Sequence, residues 1–189
     1  AAMQYSTAEF RKGLKIEMEG DPMVIVDFQH VKPGKGGAFV RTRLKSLISG
    51  KVLEKTFRSG EKVDVPDLED KNMVYLYSDD SGYHFMDNEN YEQMVMTKDH
   101  IGGALGYLKE NVAFDVLFHN KKPIGVEIPS FMDVAVAETV PGVRGNTVSG
   151  ATKPAKLETG ATVQVPLFIN EGDIIKVDTR TGDYIERVS

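Results

Sequence analysis

The stretch Val31-Lys32-Pro33-Gly34-Lys35-Gly36-Gly37-Ala38-Phe39-Val40 gathers the residue types that contact with a polyanion requires. Pro33 stiffens the approach to the tip, Gly34, Gly36 and Gly37 remove bulk around it, and Lys35 is left as a cation without a sizeable neighbour. That shape suits insertion into a narrow cleft. Arg41, Arg43 and Lys45 follow at alternate positions, so on a strand they project from one face below the tip. A row of cations is what binding to a phosphate backbone needs. A plain hairpin turn with an exposed lysine is the competing reading of the tip, and it leaves the row unexplained. A nucleotide-cradling loop does not fit: that motif has four residues between its first Gly and Gly-Lys, then Ser or Thr, then a helix.

Other chemistries find few candidates. The chain has no cysteine, which removes disulfides, thiolate metal sites and a thiol nucleophile. Neither Gly-x-Ser-x-Gly nor His-Glu-x-x-His occurs. His30, His84, His100 and His119 share no metal-ligand spacing, and Asp64, Asp67, Glu69 and Asp70 read as a solvated acidic linker rather than an acid–base pair. A nucleophilic lysine needs burial or a neighbouring group to shed its proton, and an exposed tip flanked by glycines offers no burial. The expectation is a binding protein rather than an enzyme, with no metal and no dissociable cofactor.

Charge divides the chain. The net value is −5, yet residues 1–63 hold 12 Lys or Arg against 7 Asp or Glu, whereas residues 64–189 hold 11 against 21. A basic module on an acidic body localises polyanion binding to the first part, and the acidic remainder argues against a general single-stranded nucleic-acid binder. No apolar run approaches a membrane span and no signal-peptide core opens the sequence, so the expected compartment is the cytoplasm.

The elements that must hold the loop are strands. Ser6-Thr7-Ala8-Glu9 has capping-box spacing and predicts a short helix ending at Gly13. Residues 23–29, 39–47 and 52–57 are short, β-branched or aromatic runs separated by Gly, Pro and Lys. Residues 63–70 break that rhythm and mark a boundary. Strands resume at 73–78, 83–86 and 91–96, and Ile101, Leu105 and Leu108 predict a glycine-weakened helix within 97–109. Val112, Phe114, Val116 and Phe118 alternate, as do Met132, Val134 and Val136, and Val163, Val165, Leu167 and Ile169. Residues 174–178 and 184–188 form a hairpin about a turn at 179–183. The reading is an all-β chain of three small tandem barrels, 1–65, 66–129 and 130–189, the second and third OB-like.

The Lys-Pro-Gly-Lys-Gly loop, with Ala38-Phe39-Val40-Arg41 and Glu54-Lys55-Thr56-Phe57-Arg58, resembles the first domain of bacterial elongation factor P. Tyr75-Leu76-Tyr77, His84-Phe85-Met86 and Tyr91-Glu92-Gln93 are similar to the second domain of that family. Pro141-Gly142-Val143-Arg144-Gly145, Val165-Pro166-Leu167-Phe168 and the run from Gly172 to Arg180 are similar to its third. The hypusine-containing relatives resemble only the first two domains, so the third favours the bacterial form. The resemblance implies a KOW-like, SH3-like barrel followed by two OB folds in an L-shaped, tRNA-like stack. It implies a monomer, independent of membranes, that binds the ribosome between the exit and peptidyl sites and relieves stalling at consecutive prolines.

Within that resemblance Lys35 occupies the position that family members modify after translation, which implies a lysine-modifying enzyme as a partner. The lengthened side chain would reach the acceptor end of peptidyl-tRNA, framed by Pro33, Gly34, Gly36 and Gly37. Lys32, Arg41 and Arg43 would contact RNA phosphates. Arg144 and Asn146, in the loop 141–147, together with Tyr184 and Arg187, would touch ribosomal RNA and proteins on the small-subunit side. Asn146 departs from the Asp that many members carry. Lysine at the tip separates the chain from the elongation-factor-P-like paralogue.

Overall fold

The computed structural model describes residues 3–142 and 151–189, and most of them lie in three antiparallel sheets. The first contains β1 (Gln4–Ser6), β2 (Lys15–Met18), β3 (Asp21–Val31), β4 (Phe39–Ser46), β5 (Val52–Arg58) and β6 (Lys62–Asp64), ordered β1-β6-β2-β3-β4-β5. Met18 faces Asp21 across a two-residue turn in which Glu19 and Gly20 both have positive φ, the geometry that matches strand twist in a tight hairpin. Inward residues Ile16, Ile25, Val40, Leu44 and Phe57 are almost fully buried, each worth about 1.5–3 kcal/mol for a large aliphatic or aromatic side chain. Phe10 meets Phe57 edge-on with centroids 5.3 Å apart.

That contact explains one departure from expectation. The capping box at Ser6 and Glu9 forms, but the helix is a single 3-10 turn, Thr7–Glu9, ending at Phe10 rather than Gly13. Core burial of Phe10 draws the backbone into an extended conformation. The acidic linker is also corrected: Asp64 lies in β6, paired with Gln4 some 60 residues away, and Glu69 and Asp70 lie inside the next strand. A pairing so distant in sequence leaves no local pattern.

The second sheet comprises β7 (Leu68–Asp79), β8 (Gly82–Asp87), β9 (Gln93–Met96), β10 (Ala113–His119) and β11 (Lys122–Glu127), ordered β11-β10-β7-β8-β9. The helix expected over 97–109 is one α turn, α1 (Lys98–Ile101), continued as 3-10 over Gly102–Tyr107. Thr97 caps it by accepting the His100 N–H, and Gly102, at φ +58, ends the α segment. Ile101 and Leu108 reach the core as expected, joined by Ala104, whereas Leu105 is only half-buried.

The third sheet comprises β12 (Phe131–Thr139), β13 (Thr152–Leu157), β14 (Thr162–Pro166), β15 (Ile174–Asp178) and β16 (Asp183–Arg187), ordered β14-β13-β12-β15-β16. Counted within each sheet, both run third, second, first, fourth, fifth, so the two share one strand order. Strand β13 has no clear sequence signal because Pro154 interrupts it and its buried positions are Lys153, Ala155 and Leu157. The Lys153 ammonium remains buried by donating to the Val140 carbonyl.

By contact the chain forms two compact units. One runs up to Asp70 and includes Leu117–Gly125, where His119 bonds Glu17 and Asn120 donates to the Asp67 carbonyl. The other comprises Lys71–Val116 with Val126–Ser189. Among the described residues no helix is long and apolar enough to cross a membrane.

Candidate nucleic-acid interface

Strands β3 and β4 form the longest hairpin of the first sheet, and Val31 opposite Phe39 closes it. Residues 32–38 make the loop beyond that pair. Lys32 through Gly37 are exposed, and Val31, Ala38 and Phe39 are half-buried at its root. Gly36 has φ +92, a conformation that L side chains adopt only under strain. Gly34 and Gly37 carry no such requirement, and a Cβ at any of the three would meet nothing within 4 Å. The fold therefore dictates glycine at 36 and leaves the bareness of 34 and 37 unexplained by its own packing. Lys35 stands at the exposed tip between them.

The alternation expected below the tip is present. Val40, Thr42, Leu44 and Ser46 are buried, and Arg41, Arg43 and Lys45 are exposed on the opposite face of β4. The Thr42 hydroxyl satisfies its burial by donating to the Lys55 carbonyl at 2.7 Å. Register decides how free each cation is. Arg43 is flanked by Asp27 and Glu54 and lies 3.8 Å from the Glu54 carboxylate, whereas Arg41 is flanked by the neutral Gln29 and Thr56. An exposed pair such as Arg43–Glu54 contributes about 0–1 kcal/mol, so a phosphate could displace it. The stripe is less uniformly positive than its sequence suggested: Arg41 and Lys45 have neutral neighbours across the ladder, and Arg43 has two acids.

Arg41 has a second feature that only the fold reveals. Its guanidinium sits 5.6 Å from the centroid of Phe39, and Arg58 lies directly across the ladder from Phe39 on β5. Two guanidinium-bearing residues thus adjoin one half-buried ring at the root of the Lys35 loop. Sequence reasoning missed Arg58. Glu54, Thr56 and Arg58 do alternate, but assigning them to this face requires the β4–β5 register.

In the third sheet, Tyr184 is half-buried opposite Val177 and Arg187 is exposed opposite Ile175. Residues three apart on a regular strand face opposite sides, but a register shift at Ile185 places both opposite the same face of β15. The Arg187 guanidinium lies 5.6 Å from the ring of Phe168, which is 58% exposed. Arg144 and Asn146 lie outside the described residues. At the start of their loop, a Cβ on Gly142 would come within 2.7 Å of the Leu167 carbonyl oxygen, so only glycine permits that approach.

The described residues contain no group of three His, Cys, Asp or Glu able to hold a metal ion. Asp79, Ser81 and His84 do converge, but His84 Nε2 faces both the carboxylate and the hydroxyl. A nucleophilic relay needs the carboxylate on the other ring nitrogen. The surface groups near Lys35 are suited to binding and positioning an anion.

Comparison with known proteins agrees along the chain. Residues 6–63 match the Elongation factor P (EF-P) KOW-like domain, 68–126 the Elongation factor P (EF-P) OB domain, and 132–187 the Elongation factor P, C-terminal family. Elongation factor P of Bdellovibrio bacteriovorus is 55% identical over 185 residues, covering 98% of each chain. That of Natranaerobius thermophilus is 57% identical over 180 residues, covering 95% of this chain and 96% of its own. In fold, the structure of eukaryotic translation initiation factor 5A from Methanococcus jannaschii aligns with 67% of this chain and 92% of its own, at a TM-score of 0.57 and 21% identity. With three family domains in order and relatives more than half identical over nearly the whole length, the chain belongs to the elongation factor P family of translation elongation factors.

Proposed function

We propose that this chain binds the ribosome between the exit and peptidyl sites and stimulates peptide-bond formation at consecutive prolines, with Lys35 as its working end. The observation that carries this reading is the tip itself: an exposed lysine on a loop whose glycines at 34 and 37 answer to no contact within the protein. Side chains that the fold tolerates but the sequence omits point to close approach by something else. RNA is the partner that fits, because Arg41, Arg58 and Lys32 surround the root of the loop, while Asp27 and Glu54 flank Arg43 and the Glu61 carboxylate is held by the Arg58 backbone N–H.

In this reading Lys35 is lengthened by a lysine-modifying enzyme and holds the acceptor end of peptidyl-tRNA in line for attack. It supplies orientation rather than an acid or base. Lys32, Arg41 and Arg43 bind phosphates, and Tyr184 and Arg187, with Arg144 and Asn146, face the small subunit. The domains are 1–65, 66–129 and 130–189, a division supported by one complete sheet in each. The chain acts as a monomer in the cytoplasm, with no dissociable cofactor.

The test is translation of two matched reporters, one carrying a run of prolines, in an extract depleted of this protein. Resupply of the native, modified chain is expected to restore the proline reporter and leave the other unchanged. Equal effects on both reporters would contradict the proposal.

A further inference from the structure

We propose that the outer face of the second sheet, at Tyr77 and the carboxylates of Asp79 and Asp80, is a docking site for an arginine side chain on a basic polypeptide segment of a partner protein. The site begins with a bulge. Tyr75 pairs with Phe85 and Tyr77 with His84, so one residue of β7 is extra and Tyr77 leaves the face of buried Tyr75 for the outside. Bulges are a recurrent means of re-aiming a side chain. Here the result is an aromatic ring 45% exposed on an OB barrel, next to the turn between its first two strands.

The ring is held in place. Tyr77 stacks on His84 with centroids 4.3 Å apart and planes 15° from parallel. His84 is fixed in turn by Asp79, 2.9 Å from its Nε2, and Ser81 donates to the same carboxylate from its N–H at 2.9 Å and its hydroxyl at 2.6 Å. These bonds keep Asp79 ionised, with its pKa lowered to about 2. Asp80 follows on the exposed turn, and Val95, 43% exposed, lies beyond His84 on β9. One face of the tyrosine is occupied by the imidazole, and the Asp79 carboxylate bonds the edge of that imidazole.

Charge selects the occupant. Residues 66–129 carry twelve Asp or Glu against five Lys or Arg, which repels a phosphate backbone and attracts a basic polypeptide. Among basic groups the guanidinium fits best, because it is flat enough to lie on a ring while its N–H groups bond carboxylate oxygens at the edge. The chain already uses this arrangement internally. Arg180 lies 5.4 Å from the centroid of Phe131 while its Nε and Nη2 donate to Asp178 at 3.1 and 3.0 Å, and Phe131 faces Asp178 across the ladder. Tyr77 and Asp79, brought together by His84, offer an exposed ring and the second oxygen of a carboxylate whose Oδ1 carries the bonds from Ser81 and His84.

The experiment follows the NMR signals of the Tyr77 ring and the His84 imidazole in the full chain. Three probes are titrated: an Arg-Gly repeat peptide, a Lys-Gly peptide of equal length, and single-stranded oligouridylate. The arginine peptide is expected to move both signals saturably and to bind several-fold more tightly than the lysine peptide, with the RNA without effect. Tyr77→Ala should weaken the arginine peptide about five- to tenfold, and Tyr77→Phe, which keeps the ring, should not. Unshifted Phe85 signals would verify that the barrel is intact. Equal binding of the two peptides, indifference to Tyr77→Ala, or a response of these signals to the RNA would overturn the proposal.

Discussion

Gly34 and Gly36 lie two residues apart on the same tip and answer to different constraints. At φ +92 the backbone of Gly36 disfavours any side chain, so Gly36→Ala should lower folding stability by about 1–2 kcal/mol. Gly34→Ala meets open space at an ordinary φ and should change stability by less than about 0.5 kcal/mol. If Gly34 is bare to admit RNA, its alanine variant loses stimulation at prolines without losing stability. Thermal denaturation beside the proline reporter separates the two effects, and full activity of Gly34→Ala would count against close RNA approach at that residue. Lys35 and the alternation of Arg41, Arg43 and Lys45 were legible in the sequence because both are local patterns. The neighbours that grade those cations, Glu54 beside Arg43 and Arg58 beside Phe39, were not, since they come from strands placed by register.

At the scale of elements, period-two alternation revealed the strands whose buried positions are apolar. It failed for β1, β2 and β6, which are three or four residues long, and for β13, where a proline and a buried lysine break the pattern. Phe57 is the only buried residue of β5 and closes the first core against Phe10. Phe57→Ala should therefore cost about 3–5 kcal/mol, read from the midpoint of urea unfolding. A loss below about 1 kcal/mol would mean that β5 is not held by that ring.

The turn between β7 and β8 makes a different prediction. Hydrogen bonds from Ser81 and then His84 lower the Asp79 pKa from 3.8 to about 2. A depressed carboxylate contributes stability that is present above its unfolded value and is lost as the proton binds the folded state. That contribution should hold above about pH 4 and fade towards pH 2. Asp79→Asn should flatten the pH dependence of stability within this window and leave it unchanged near neutrality. An identical acid profile in the variant would show that the turn does not hold the carboxylate as described.

Across the whole molecule the all-β reading and the family resemblance stand, because ordered motifs run along the entire chain and all three family domains match in sequence. The shared strand order of the second and third sheets was not legible, because their sequences keep only the alternation and not the pairing. Charge is distributed in keeping with a division of labour. Under the two proposals, the basic first sheet would present Lys35 and Arg41 to RNA, and the acidic second sheet would present Tyr77 to a basic polypeptide. The two surfaces can be tested independently, since Tyr77→Ala leaves the Lys35 loop unaltered.

The most direct test of the central claim is the single-turnover rate of peptide-bond formation between two prolines on purified ribosomes, with the native modified chain, with Lys35→Ala, or with neither. The native chain is predicted to accelerate the reaction, and Lys35→Ala, although still bound to the ribosome, to leave it near the rate without factor. Acceleration by Lys35→Ala equal to that of the native chain would contradict the assignment of Lys35 as the working end.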